Sequence, residues 1–180
     1  MRSVLAALAA AALFILTYPP FGWGILVVPG LALFLWLVRT VPRPGLIALV
    51  FGLAFYSGLI WWIGKLGFIA VAPLVAVFGG WLSLYGWLLG KCRAWSPGRW
   101  WLASVGGWAA MEAARVRFPV GGFEWGLVGY SIAPYSWARA AAQWVGTTGW
   151  SVVLVAVAAG LAVTLERHRL SAELWVPSLG

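Results

Sequence analysis

Aspartate is missing from this 180-residue chain, and glutamate occurs only as Glu112, Glu124, Glu166 and Glu173. Hard divalent cations need clusters of oxygen ligands, chiefly carboxylates. No such metal site is expected from so few acids. One cysteine, Cys92, and one histidine, His168, exclude a disulfide framework and a zinc finger. Cys92 lies between Lys91 and Arg93 in "LLGKCRAW", which favours a thiolate, but no general base stands near it in sequence. It reads as an incidental thiol, and His168 in "ERHRL" as a solvated residue of a basic end. Charged residues make up 9% of the chain, too few to cover the surface of a water-soluble domain. No soluble linker and no internal repeat divides the chain, so residues 1–180 are expected to form one transmembrane domain.

What is abundant is apolar: 63% of residues are hydrophobic, and 15 are tryptophan. Such a chain belongs in lipid, with most of its amphipathic rings anchoring at the two interfaces. The net charge of +8 does not indicate nucleic acid, because the basic residues are scattered between apolar runs rather than gathered on one face. The fold class implied is an all-α integral membrane protein, a polytopic bundle of about six helices. The expected spans are 3–18, 24–38, 46–63, 70–90, 99–115 and 140–165. The first span also resembles a secretory signal, but its small residues lie inside the apolar run and no polar cleavage region follows. Gly86 and Gly90 in "GWLLG" permit close helix approach, and Pro73 falls early in the fourth span, as a first-turn proline or a kink.

Positive residues set the orientation. With the N-terminus inside, Arg2, Arg39, Arg43, Lys91, Arg93, Arg99, Arg167 and Arg169 are cytoplasmic, whereas Lys65, Arg115, Arg117 and Arg139 are outside. The bias predicts both termini in the cytoplasm and "FPVGGFEWGLVGYS", residues 118–131, on the outer face.

A carboxylate within a membrane helix costs roughly 2.5 kcal/mol or more and needs a partner or a wet environment. Glu112 has Arg115 three residues on, on the same helical face. Two readings stay open: a self-contained ion pair, or a polar site facing the bundle interior where a headgroup or substrate exchanges for one partner. Lys65 fits either a phosphate contact or a snorkelling anchor. Arg115, Arg117 and Arg139 make the surface near the 118–131 loop electropositive, which suits lipid phosphate. Within the loop, Gly121, Gly122, Gly126 and Gly129 free the backbone around Trp125. The segment reads either as the wall of a cavity at membrane depth or as an aromatic turn in the headgroup layer.

The order of "YPPFGWG", "GLAFYSGLIWWIG", "MEAAR", "GGFEWGLVGYS" and "WVGTTGWSVVLVAVAAGLAV" resembles the N-terminal membrane domain of bacterial apolipoprotein N-acyltransferase. The likeness runs from about residue 5 to 170 and is most specific at the Glu-x-x-Arg helix end and the loop after it. That family moves an acyl chain from a phospholipid to the N-terminal diacylglyceryl-cysteine of a lipoprotein, in the bacterial inner membrane. It works through a thioester on a cysteine of an extracytoplasmic nitrilase-like domain. The resemblance therefore implies a phospholipid acyl donor and a lipoprotein N-terminus as partners, and no cofactor.

Carried over position by position, the resemblance implies lipid- or substrate-binding roles for Glu112, Arg115, Gly122, Phe123, Trp125, Tyr130 and Ser131. Pro20, Phe21 and Gly22 match the first outer turn, while Lys65, Arg117 and Glu124 are candidate headgroup contacts. Glu124 stands where the family usually has proline, and a carboxylate there attracts an ammonium or points to water. The family's catalytic Glu, Lys and Cys have no counterparts in these residues, and Cys92 falls on the cytoplasmic side. The chain is accordingly expected to hold lipid substrates without performing the chemistry. The alternatives are a membrane subunit that docks a separately encoded nitrilase-like domain in trans, or a small lipid-handling transporter. The final "ELWVPSLG" reads as the start of a further apolar segment, which suggests truncation.

Overall fold

The computed structural model describes residues 1–65, 67–118 and 122–175, and among these it is all-helical with no strand. Six α-helices follow one another: α1 Arg2–Ile15, α2 Val27–Thr40, α3 Pro44–Leu59, α4 Phe68–Lys91, α5 Pro97–Arg115 and α6 Ser136–Trp175. Short 3₁₀ turns, Gly24–Leu26, Trp61–Lys65 and Val128–Ile132, extend three of the connections.

Local chemistry sets the helix ends. The apolar run of α1 stops at Ile15, ahead of Pro19 and Pro20, and the Thr17 hydroxyl donates to the Phe14 carbonyl at 2.7 Å. Pro44 and Pro97 open α3 and α5, where a missing N–H costs no helical hydrogen bond. The apolar run 46–63 is divided, because α3 ends at Leu59 and the chain tightens into the Trp61–Lys65 turn. Pro73 lies inside α4, beyond its first turn. α6 starts at Ser136 and is broken at Gly146, whose φ of 67° and ψ of 177° are open almost only to glycine.

The helices pack in a ring in the order α4, α3, α1, α2, α6, α5, which closes loosely between α4 and α5. The α3–α4 seam is the closest. A side chain at Gly52 would meet the Gly79 backbone, one at Gly86 would meet Ala48, and one at Gly90 would meet Pro44. Gly86 and Gly90 thus serve helix packing, where small residues let backbones approach. The interior is aromatic: Phe34 stacks on Phe51 at 4.2 Å and Phe14 lies 4.6 Å from Phe55. The outer face is also apolar, exposing Leu5, Ile25, Leu84, Leu102 and Leu161 among others. A bundle apolar inside and out is stable only against lipid. Val71–Lys91 and Ser136–His168 are each long and apolar enough to cross a membrane. α1, at 14 residues, spans only about 21 Å, so its flanking turns must share the depth.

At one end of the ring Arg39 of α2 and Glu166 of α6 form an ion pair, with the Arg39 guanidinium 4.8 Å from the Trp100 ring centre of α5. A residue read from sequence as a topology signal is therefore also a buried clasp across three helices.

Candidate functional site

The opposite end is organised by the last two turns of α5. Glu112 and Arg115 are 2% and 1% exposed, and they do not pair with each other. The ion pair at the other end, Arg39–Glu166, has no counterpart between these two residues. The Glu112 carboxyl accepts from the Trp108 indole N–H at 3.0 Å and from the Val128 backbone N–H at 2.9 Å. The Arg115 guanidinium donates to the carbonyls of Trp125 at 2.7 Å and Phe123 at 3.1 Å, while the Phe123 N–H returns a bond to the Arg115 carbonyl. Both charged side chains hydrogen-bond the backbone of the loop after α5, while Glu112 Oε2 and Arg115 Nε are buried without a hydrogen-bond partner. That accounts for their burial: loop backbone enclosed by helices needs partners for its polar groups, and charged groups supply the stronger hydrogen bonds.

Other residues complete the hold. The Tyr18 hydroxyl donates to the Leu127 carbonyl at 3.1 Å, and the Gly129 N–H donates to the Ser151 hydroxyl oxygen of α6 at 2.9 Å. Ser131, fully buried, donates to the Val128 carbonyl within its own turn. Gly24 lies where any side chain would strike the Ser131 carbonyl, so the first turn of the chain and the Val128–Ile132 turn are in backbone contact. Gly122 has a φ of 90° and no room for a side chain against the Val116 carbonyl.

The loop so held forms one wall of a cleft of about 850 Å³. Gly122, Phe123, Glu124, Trp125 and Tyr130 line it from the loop side, and Tyr18, Leu59 and Trp62 from α1 and α3 and the turns that follow them. Phe123 stacks on Phe78 at 4.5 Å and meets Trp125 edge-on at 5.0 Å, and Trp125 meets Trp62 edge-on at 5.2 Å. Trp125 remains about half exposed at the mouth. Glu124 and Tyr130 add the polar rim, their side-chain oxygens 3.4 Å apart. The Tyr130 phenol is pushed above its ordinary range, first by desolvation and then by the Glu124 carboxyl beside it.

The residues singled out from sequence therefore fall into three groups. Gly122, Phe123, Glu124, Trp125 and Tyr130 line the cleft; Glu112, Arg115 and Ser131 lie beneath and hold the loop. Pro20, Phe21, Gly22, Lys65 and Arg117 stand outside the lining. Gly22 turns the chain beside Pro134 with a φ of 70°, Lys65 sits 5.4 Å from the Trp61 ring centre, and Arg117 donates to Ala113 of its own helix end. Arg139 donates to the carbonyls of Ala133 and Pro134. Gly121 lies outside the described residues. Sequence reasoning missed Tyr18, Trp62, Trp108 and Ser151. Only Trp108 had a local signal, its spacing of four residues from Glu112 on one helix face.

Fold and site together define a helical membrane protein with a partly open, aromatic cleft at one end of its bundle. The apolipoprotein N-acyltransferase N-terminal domain is the family whose pattern matches residues 10–160. The chain belongs to that family, and it is a membrane protein.

Proposed function

We propose that the cleft beside Trp125 receives the acyl chains of a phospholipid donor and of a lipoprotein acceptor and presents them at the outer face of the bacterial inner membrane. The observation that carries this reading is the cleft itself. Its volume is within the ordinary range for ligand sites, roughly 300–1,000 Å³. Its wall is a run of aromatic rings, and its few polar groups sit at the rim. Acyl chains require apolar enclosure, and headgroups require a polar edge. Glu112 and Arg115 act here as positioning residues, because their hydrogen bonds end on the loop backbone and not in the cleft. The acyl-transfer chemistry belongs to a nitrilase-like domain acting with this one, in cis or in trans. The distribution of Lys and Arg supports cytoplasmic termini and an outward-facing cleft.

Lipoprotein N-acylation in a reconstituted system, with the nitrilase-like domain supplied in cis or in trans, tests the reading. Trp125→Ala should abolish transfer while the protein still accumulates in the membrane. Undiminished acylation in that variant overturns the assignment of the cleft.

A further inference from the structure

At the other end of α4 from the cleft, the loose closure of the ring leaves a second, separate groove. It runs between α4 and α5 and encloses about 480 Å³. Leu84 and Leu88 form its α4 wall; Ala103, Gly107 and Ala110 form the α5 wall, whose small side chains keep it open. Tyr85 is a buried lining residue, and its hydroxyl is committed to the Ser104 carbonyl at 3.0 Å, so it presents a ring rather than a polar group. From Trp81 to Cys92 the groove follows α4 for about 16 Å, at 1.5 Å per residue, or half of a ~30 Å hydrocarbon core. That is the depth of one leaflet.

The groove ends in positive charge. Lys91 lines it, with its ammonium 4.4 Å from the Trp87 ring centre; Arg93, two residues further on and outside the lining, is exposed and donates to the Val41 carbonyl at 3.5 Å. The connector 91–99, "KCRAWSPGR", carries three cations and no acid, and among the described residues no carboxylate pairs with Lys91 or Arg93. An apolar trough one leaflet deep, with unneutralised cations at its mouth, has the shape and charge of a phospholipid with an anionic headgroup. We propose that the α4–α5 groove seats one acyl chain of an anionic phospholipid, whose phosphate is held by Lys91, with the exposed Arg93 of the connector adding to the positive field. This site is distinct from the cleft in position, in lining residues and in charge.

Cys92 lies at the mouth and is the chain's one cysteine, so it reports on occupancy. The whole chain, purified and placed in nanodiscs of phosphatidylcholine with or without phosphatidylglycerol, is to be read by the rate of Cys92 alkylation with a maleimide. Native mass spectrometry of the released protein then counts retained lipid. Two cations at a membrane surface should favour phosphatidylglycerol by about thirtyfold, with alkylation slowed to match. The double variant Lys91→Gln, Arg93→Gln should lose the preference, and Ala103→Phe with Ala110→Phe should lose retention while the cations remain. Equal retention of the two lipids by the unaltered chain overturns the proposal, as does undiminished phosphatidylglycerol retention in the filled-groove variant. Protection of Cys92 by inorganic phosphate alone, equal to that by the lipid, also overturns it, because the connector would then bind anions without the groove. Lys91 and Arg93 are exposed, so the charge variant tests the proposal even if the filled-groove variant does not fold.

Discussion

The two ends of the bundle each bury charge, and they spend it differently. At one end Arg39 and Glu166 neutralise each other side chain to side chain, clasping α2 to α6 with Trp100 beneath. At the other, Glu112 and Arg115 lie on the same face of α5, yet each is directed to the backbone of the loop, and Trp108 supports Glu112 from below. The first arrangement fixes helices that would pack there in any case. The second fixes a segment that has no regular secondary structure to satisfy it and that forms the wall of a cleft. Buried charge in this protein is therefore informative about function where it binds backbone, and about architecture where it binds charge.

The sharpest way to break that contrast is to remove one arginine from each end. Arg115→Ala unhooks the Phe123 and Trp125 carbonyls and leaves both without that donor, a change expected to cost about 1–3 kcal/mol per carbonyl. Reversible unfolding in mixed micelles should show that loss, together with faster proteolysis within residues 118–125. Arg39→Ala should lower stability by a similar amount but leave loop proteolysis unchanged. Equal loop exposure in both variants would show that the ends are not independent.

Trp108→Phe keeps an aromatic ring beside Phe34 and Tyr85 but removes the donor to Glu112, which should cost about 1.5–3 kcal/mol. The same proteolysis assay should place it between the unaltered chain and Arg115→Ala. Ser151→Ala, which deprives the Gly129 N–H of its acceptor, should cost about 1–2 kcal/mol and act at the loop rather than at the Arg39 end.

The smallest effect belongs to the rim. Glu124→Gln should change stability by less than about 0.5 kcal/mol, as for most exposed positions. It should still move the Tyr130 phenol, since the folded protein holds that proton more tightly than the unfolded chain does. The sign follows: the associated stability is fully present below the ordinary tyrosine pKa of about 10 and is lost as pH rises through the higher folded value. Removing the Glu124 carboxyl should lower the phenolate titration midpoint without restoring the ordinary value, because desolvation, the larger cause, remains. The difference in near-ultraviolet absorbance between Glu124→Gln proteins with and without Tyr130→Phe measures it.

Much of this molecule was legible residue by residue. Composition gave the solvent, and the alternation of apolar runs with Pro, Gly and Arg gave about six helices, although α6 runs to Trp175, ten residues past the expected end at 165. The family was written in the loop 118–131 and in the Glu-x-x-Arg end of α5. The spacing of Glu112 and Arg115 left open an ion pair or a polar site facing the bundle interior and could not choose, because side chains three residues apart share a face without having to face each other. Each found a stronger partner in loop backbone that local spacing cannot show. Trp62, Tyr18 and Ser151 were invisible for a related reason: their partners are supplied by a turn that comes near only after α1, α3 and α6 have packed.

The sequence by itself determined where this chain can exist, how many helices it forms and to which family it belongs, since these depend on transfer energies and local backbone preferences. The tertiary structure alone decided what its charges do and where its hollows lie. A cleft held from beneath by Glu112 and Arg115, and a groove left where α4 and α5 fail to close, are properties of distances between segments remote in the chain.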